Sequence, residues 1–402
     1  MAASSALPAA EPAAVGLSGA GLDRLSAVLA REIEAKRLPG AVTLVARRGR
    51  IAHFASHGAR EPERGTAMTT DSIFRIYSMT KPIVSLAAMM LLEEGRLLLS
   101  EPISKFLPAF AKPKVAVETR DEATGRVGVE LVPAEREITI QDLLRHTAGF
   151  TYEFRGDAAV QKMYREARIF RRDQTNEDHA ATLAKLPLMH QPGSRWEYSR
   201  ATDVLGRLLE VIEEKPLAEV LAARILDPLG MADTGFHAPA AKHERIAEPF
   251  GKDPETGAEV SLLNVRQPPM FESGGGGLIS TAADYARFLQ MLLNGGTLEG
   301  VRLLSRKTLE FMTADHVGPV PGVDTLAGPG YGFGLGLAVR LADGIAATPG
   351  SKGSYYWGGI AGTAFWVDPR EELLAILMMQ GPGQREHYRS LFRALVYGAF
   401  GD

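Results

Sequence analysis

A chain of 402 residues can bury an extended core, and its makeup, 45% hydrophobic and 23% charged, is that of an ordinary folded protein. A formal net charge of -3 leaves no electrostatic footprint for nucleic acid or an anionic membrane, so neither is expected as a partner. The absence of cysteine excludes disulfides, thiolate catalysis and Cys-ligated zinc.

Residues 1–17 are rich in Ala and Pro and predict a loosely held N-terminal arm. They show neither the basic start nor the apolar block of a secretory signal, and the longest apolar runs are too short to span a bilayer, so a cytoplasmic location is expected. Leu22, Leu25, Leu29 and Ile33 then follow helical spacing until Pro39-Gly40 stops the pattern. Residues 41–46 and 51–56, separated by Arg47-Arg48-Gly49-Arg50, predict a β-hairpin.

The next stretch is Phe74-Arg75-Ile76-Tyr77-Ser78-Met79-Thr80-Lys81-Pro82, followed by an apolar run through Leu92. It reads as a strand-like approach turning into a helix. Residues three apart lie on one helix face, so the Ser78 hydroxyl and the Lys81 amine would converge. Ser-x-x-Lys in that setting offers a nucleophile with a local proton acceptor, although so short a pattern also arises by chance.

Past Gly95 the texture becomes helices and loops. Residues 114–118 and 126–132 flank Asp121-Glu122-Ala123-Thr124-Gly125 and predict an exposed hairpin, with Asp121-Glu122 read as solvated surface. Thr139 is a candidate N-cap for a short helix, and residues 201–214 carry a stronger one with Val204, Leu205, Leu208 and Leu209 on one side. From Ser280 another amphipathic helix runs to Gly295-Gly296. Strand signals then dominate: residues 331–340, 361–367 and 373–379, before a closing helix over 388–400. The order predicts an α/β chain of the α+β type, in which the first hairpin and the last strands share an antiparallel sheet flanked by helices. Residues 18–95 and 276–402 would form this discontinuous domain, and 96–275 a mainly helical insertion. The Ser78 helix would line the cleft between them.

Two further elements bear on chemistry. Gln191-Pro192-Gly193-Ser194-Arg195-Trp196-Glu197-Tyr198-Ser199 is a turn that delivers a tyrosine just before a helix, although for an arbitrary tyrosine an ordinary, partly buried role is much the commoner reading. Tyr356-Trp357-Gly358-Gly359-Ile360-Ala361-Gly362 is a Gly-interrupted strand, and such glycines mark either a ligand's approach or a bulge or tight packing point. No HExxH or close His pair suggests a metal, and no G-x-S-x-G elbow is present.

In combination these elements resemble the serine β-lactamase and penicillin-binding-protein superfamily, most closely its class C-like esterase branch, the family VIII carboxylesterases. Leu143-Leu144-Arg145-His146-Thr147-Ala148-Gly149-Phe150, Pro228-Leu229-Gly230-Met231 and Ser273-Gly274-Gly275-Gly276-Gly277 also stand in the expected order. The resemblance implies a β-lactamase/transpeptidase-like fold and no cofactor or metal. It makes Ser78 the nucleophile, Lys81 its activating partner and Tyr198 the general base. It assigns the oxyanion to the N–H groups of Ser78 and Ile360, on the strand beginning Trp357-Gly358-Gly359. The chemistry is consistent: an ammonium about 4 Å from a phenolate at an effective dielectric near 20 is worth about 4 kcal/mol, enough to make a tyrosine a usable base.

Two departures bear on substrate. Trp357-Gly358-Gly359 replaces the Lys-Thr-Gly-type triplet of β-lactamases, and Lys352 could restore a cation only if its loop folded back. Tyr198-Ser199-Arg200 replaces Tyr-x-Asn. Both favour neutral esters over β-lactams. The expected activity is hydrolysis of small, short-chain carboxylic esters through an acyl-enzyme, with weak β-lactam turnover at most. A β-lactamase or D-amino-acid peptidase, an acyltransferase and a non-catalytic sensor are the rivals.

Overall fold

The computed structural model describes residues 7–120 and 127–401. The turn expected at Asp121 to Gly125, with its charged pair, lies outside the described residues.

Both ends of the chain build one antiparallel sheet. Helix α1 (Gly19–Glu34) starts at Ser18, whose hydroxyl accepts from the Gly21 N–H. The hairpin β1 (Gly40–Arg47) and β2 (Arg50–Glu61) follows, with β3 (Thr66–Ala67) beyond it. From the C-terminal part come β4 (Tyr331–Phe333), β5 (Ala338–Arg340), β6 (Tyr355–Gly358), β7 (Ala364–Asp368) and β8 (Leu373–Met379). The spatial order is β4-β5-β6-β7-β8-β1-β2-β3, so β8 closes the sheet against β1, with Val42 opposite Met378 and Leu44 opposite Ile376.

β8 is a continuous apolar run, and β1 is one broken only by the buried Thr43 before it ends in Arg47, because both faces of the sheet are covered. Val42, Leu44, Leu374, Ile376 and Met378 point into the main core, shared with helix α2 (Thr80–Glu93) and with α4 (Ala282–Leu293). Ala41, Val45, Ala375 and Leu377 point the other way, onto Leu25 and Leu29 of α1 and onto Phe392 and Val396 of α5 (Arg385–Tyr397). The period-two alternation thus serves two separate apolar layers.

Helix α2 is buried on nearly every side, which explains its almost unbroken apolar sequence. It packs against α3 (Ala201–Glu213), whose Val204, Leu205, Leu208 and Leu209 belong to the same core. The short helix Ile140–Leu144 begins with a capping box at Thr139. The main apolar cluster is therefore continuous from the sheet through α2 into the helical middle of the chain.

Two expectations are corrected. Residues 7–17 are not a loose arm: Leu7, Val15 and Leu17 are buried, and Ala9 bridges Ile51 while Leu17 bridges Phe400. Residues 331–340 are not one strand but a tight hairpin, β4 to β5. Gly336 at φ 98° makes the turn, a conformation closed to most residues with a Cβ. Among the described residues, no helix is long and apolar enough to cross a membrane.

Candidate active site

The approach to α2 is pinned before it turns. Phe74–Arg75 pairs with Ile279–Ser280, so the end of the helical middle is laced to the segment before Ser78. Tyr77 then takes φ 42°, a left-handed backbone that costs of order 1–3 kcal/mol for a residue with a side chain. Its hydroxyl accepts from the Leu263 N–H at 3.0 Å, which helps hold the turn. A single 3-10 turn, Tyr77–Met79, places Ser78 just ahead of α2 rather than on its first regular turn. Ser78 is partly exposed and lines a cavity of about 950 Å³.

Lys81 is fully buried behind it. A buried ammonium is costly unless its protons find acceptors, and here each of the three does. Nζ donates to Ser78 Oγ at 3.2 Å, to Tyr152 Oη at 3.0 Å and to the Gly275 carbonyl at 2.6 Å. It also lies 4.5 Å from the centroid of the Tyr198 ring. Burial alone would push the amine down, but the phenol oxygens of Tyr152 and Tyr198 outweigh it and the net direction is up. Lys81 therefore holds its proton at neutral pH. Burial pushes the Tyr152 phenol up to about 12, with Lys81 pulling the other way.

Tyr198 reaches the same cavity, and its hydroxyl accepts from the Trp357 indole N–H at 3.1 Å. Trp357, Gly358 and Ile360 line the cavity as well. The Ile360 N–H donates to no protein group among the described residues, and the same holds for the Ser78 N–H. Gly359 plays a different part: a Cβ there would strike the Ile76 carbonyl and the Thr363 hydroxyl, so its glycine serves the packing of β6 on the approach to Ser78. His146 packs against Tyr198 with ring centroids 4.9 Å apart, and burial holds it well below its ordinary range, so it is neutral.

Tyr152, bonded to Lys81, is the member of this group that the sequence does not single out. Its only signal was position, two residues past the His146-to-Phe150 run. A further network braces this group. Asp203 on α3 accepts from the Ser273 hydroxyl at 2.5 Å and from the Gly275 N–H at 2.9 Å, fixing the loop whose carbonyl receives Lys81. Its second oxygen meets Arg200 at 3.4 Å, and Arg200 also pairs with Glu153 and lies 4.6 Å over the Tyr152 ring. Arg200, standing where an amide was looked for, is thus spent on the scaffold. Lys352 does not fold back: it is exposed, lies outside the cavity lining, and its N–H donates to Asp343. Among the described residues, no cluster of three His, Asp or Glu is arranged to hold a metal.

The chain is similar to known proteins over most of its length. The family model for Beta-lactamase matches residues 25–398. Protein Rv1367c of Mycobacterium tuberculosis is 37% identical over 369 residues, covering 89% of this chain and 90% of that protein. Esterase EstB of Burkholderia gladioli is 34% identical over 390 residues, covering 92% and 93%. Among solved structures, EstCE1, described as a hydrolase with promiscuous acyltransferase activity, superimposes with a TM-score of 0.78 at 28% identity, covering 94% of this chain and 99% of that one.

Proposed function

The chain belongs to the beta-lactamase family, and on that premise we propose that it is a serine carboxylesterase working through an acyl-enzyme on Ser78. The observation that carries the reading is that Ser78, Tyr152 and Tyr198 line one cavity, with the buried Lys81 ammonium behind them bonded to Ser78 and Tyr152, and that the Ser78 and Ile360 N–H groups lack protein partners among the described residues. Similarity to EstB and EstCE1 supports ester hydrolysis at the family level.

Ser78 Oγ attacks the ester carbonyl as its proton passes to the Tyr198 phenolate, because a hydroxyl without a base is a poor nucleophile. The carbonyl π electrons move to oxygen, and the oxyanion accepts from the N–H groups of Ser78 and Ile360. Collapse breaks the C–O bond, and Tyr198 returns the proton to the departing alcohol. A water then repeats the sequence on the acyl-enzyme with Tyr198 again as base. Lys81 stays an ammonium throughout and lowers the cost of the phenolate beside it. Trp357 steadies the Tyr198 oxygen through its indole N–H.

With Trp357 on the strand in place of a lysine, simple esters are favoured over β-lactams. Short acyl chains are the expected preference, tested by a panel of 4-nitrophenyl esters from acetate to octanoate. Likeness to EstCE1 favours acyl transfer as a second reading, tested by product analysis with an added alcohol. The decisive assay is Ser78→Ala with 4-nitrophenyl butyrate: turnover should vanish with the thermal unfolding curve unchanged. Full activity in that variant would sink the reading.

A further inference from the structure

The cavity wall is cationic although the chain as a whole is not. Six arginines line it against a single carboxylate, Glu386, in a protein of net charge -3, so the positive surface is local to the cleft. Most of these cations are engaged. Arg200 is held by Glu153 and Asp203, Arg389 by Glu386 and two backbone carbonyls, and Arg155 lies 4.0 Å from Glu197.

Arg172 is different. It sits on the loop before helix Asn176–Leu183, half-buried, and among the described residues it has neither an ion pair nor a hydrogen bond. Its Nη1 is buried without a partner. Its direct contacts are aromatic, the guanidinium lying 5.8 Å from the Phe170 centroid and 5.7 Å from that of Phe271, with Asp203 acting on it only through space. Such contacts are worth about 0.5–2 kcal/mol, less than the several kcal/mol that withdrawing a cation from water costs. Arg172 lines the substrate-sized cavity, and its Nε and Nη2, neither buried nor bonded to protein among the described residues, are the donors it can offer a ligand there.

We propose that Arg172 is a carboxylate-binding residue of the cleft, so that the preferred substrates are esters carrying a carboxylate away from the scissile bond. The inference rests on the esterase reading and deepens it. One available guanidinium suits a monoanion, whereas a phosphate dianion would call for a second free cation. It also revises the meaning of Trp357: the strand has lost its cation, and the helical segment offers one from another side of the same cavity.

The test compares matched esters in the wild type, Arg172→Gln and Arg172→Lys. One pair is 4-carboxyphenyl butyrate and its methyl ester; the other is mono-(4-nitrophenyl) suberate and 4-nitrophenyl octanoate, which move the carboxylate from the alcohol to the acyl side. For at least one pair, Arg172→Gln should raise KM of the charged ester about 10- to 100-fold, while the neutral partner shifts far less and Arg172→Lys recovers part of the loss. Suberate should bind the Ser78→Ala protein in calorimetry, and Arg172→Gln should weaken it similarly. Equal effects on charged and neutral esters, or none on either pair, overturn the assignment and leave ester hydrolysis standing. No turnover of any ester by the wild type overturns the esterase reading and this inference with it.

Discussion

The cleft has two sides built on different principles. The sheet side, made of α2 and β6, is fixed by backbone: a strand ladder into Tyr77, a strained turn, and Gly359 packed on the Ile76 carbonyl. The side from the helical middle is fixed by side-chain charges, through Glu153, Arg200 and Asp203 bracing Tyr152 and Gly275. The first places Ser78, the proposed nucleophile, and the N–H groups of Ser78 and Ile360, the proposed oxyanion donors. The second sets the proton inventory around Lys81. Backbone placement tolerates changes of side chain, whereas a buried charge network fails when one member is removed.

That contrast can be broken most severely at Lys81. Lys81→Ala should lower kcat by about a thousandfold or more by removing the cation that supports the phenolate, read with 4-nitrophenyl butyrate. Tyr198→Phe should cost about 100- to 10,000-fold, the range expected for losing a general base, with KM little changed. If Tyr198→Phe is nearly silent while Tyr152→Phe is crippled, the base lies on the other tyrosine and the division of labour drawn here is wrong.

The charge-built side predicts its own failure. Asp203 is fully buried; burial raises its carboxyl, but Arg200, His179 and the Ser273 hydroxyl hold it below the usual carboxylate range. A depressed folded value means that its stabilisation is present above the unfolded value near 4 and is lost as pH falls through the folded one. Asp203→Asn should destabilise the protein by about 3–5 kcal/mol at pH 7, leaving Arg200 half-paired, and should flatten the acid limb of the stability profile. Denaturant titrations across pH check both; a loss below about 1 kcal/mol would remove the brace from the account.

Smaller effects sharpen the picture. Because Lys81 and Tyr152 are both held up, neither changes protonation between about pH 6 and 8, and Tyr152→Phe should leave the shape of the kcat/KM profile there unchanged. A limb in that window that appears or disappears with Tyr152→Phe would contradict that proton inventory. Trp357→Phe removes one charge-assisted hydrogen bond to the Tyr198 oxygen and should cost about 10- to 100-fold in kcat.

The same contrast explains what could be read in advance. Elements set by local patterns were legible: the helix through Leu22 and Leu29, the hairpin around Gly49, the doubly buried run at 373–379, and the Ser78-to-Lys81 spacing. Their signals are periodicity and turn chemistry. What sequence concealed depends on distant side chains. Tyr152 joins Lys81 only because the chain after Gly149 folds back over α2, and the unpaired state of Arg172 is visible only once every acidic neighbour has been placed. Residues 7–17 looked loose by composition but are held by strand contacts that composition does not encode. At 331–340, alternating glycines suggested one strand, and a positive φ at Gly336 made two.

The central claim is a covalent bond between an acyl group and Ser78. Rapid acid quenching during turnover of 4-nitrophenyl butyrate, followed by intact-mass and peptide mapping, tests it directly. The account predicts a mass increase equal to one butyryl group, confined to the peptide containing Ser78 and absent in Ser78→Ala. Ester hydrolysis with no such adduct in the wild type, or an adduct that persists in Ser78→Ala, would contradict it.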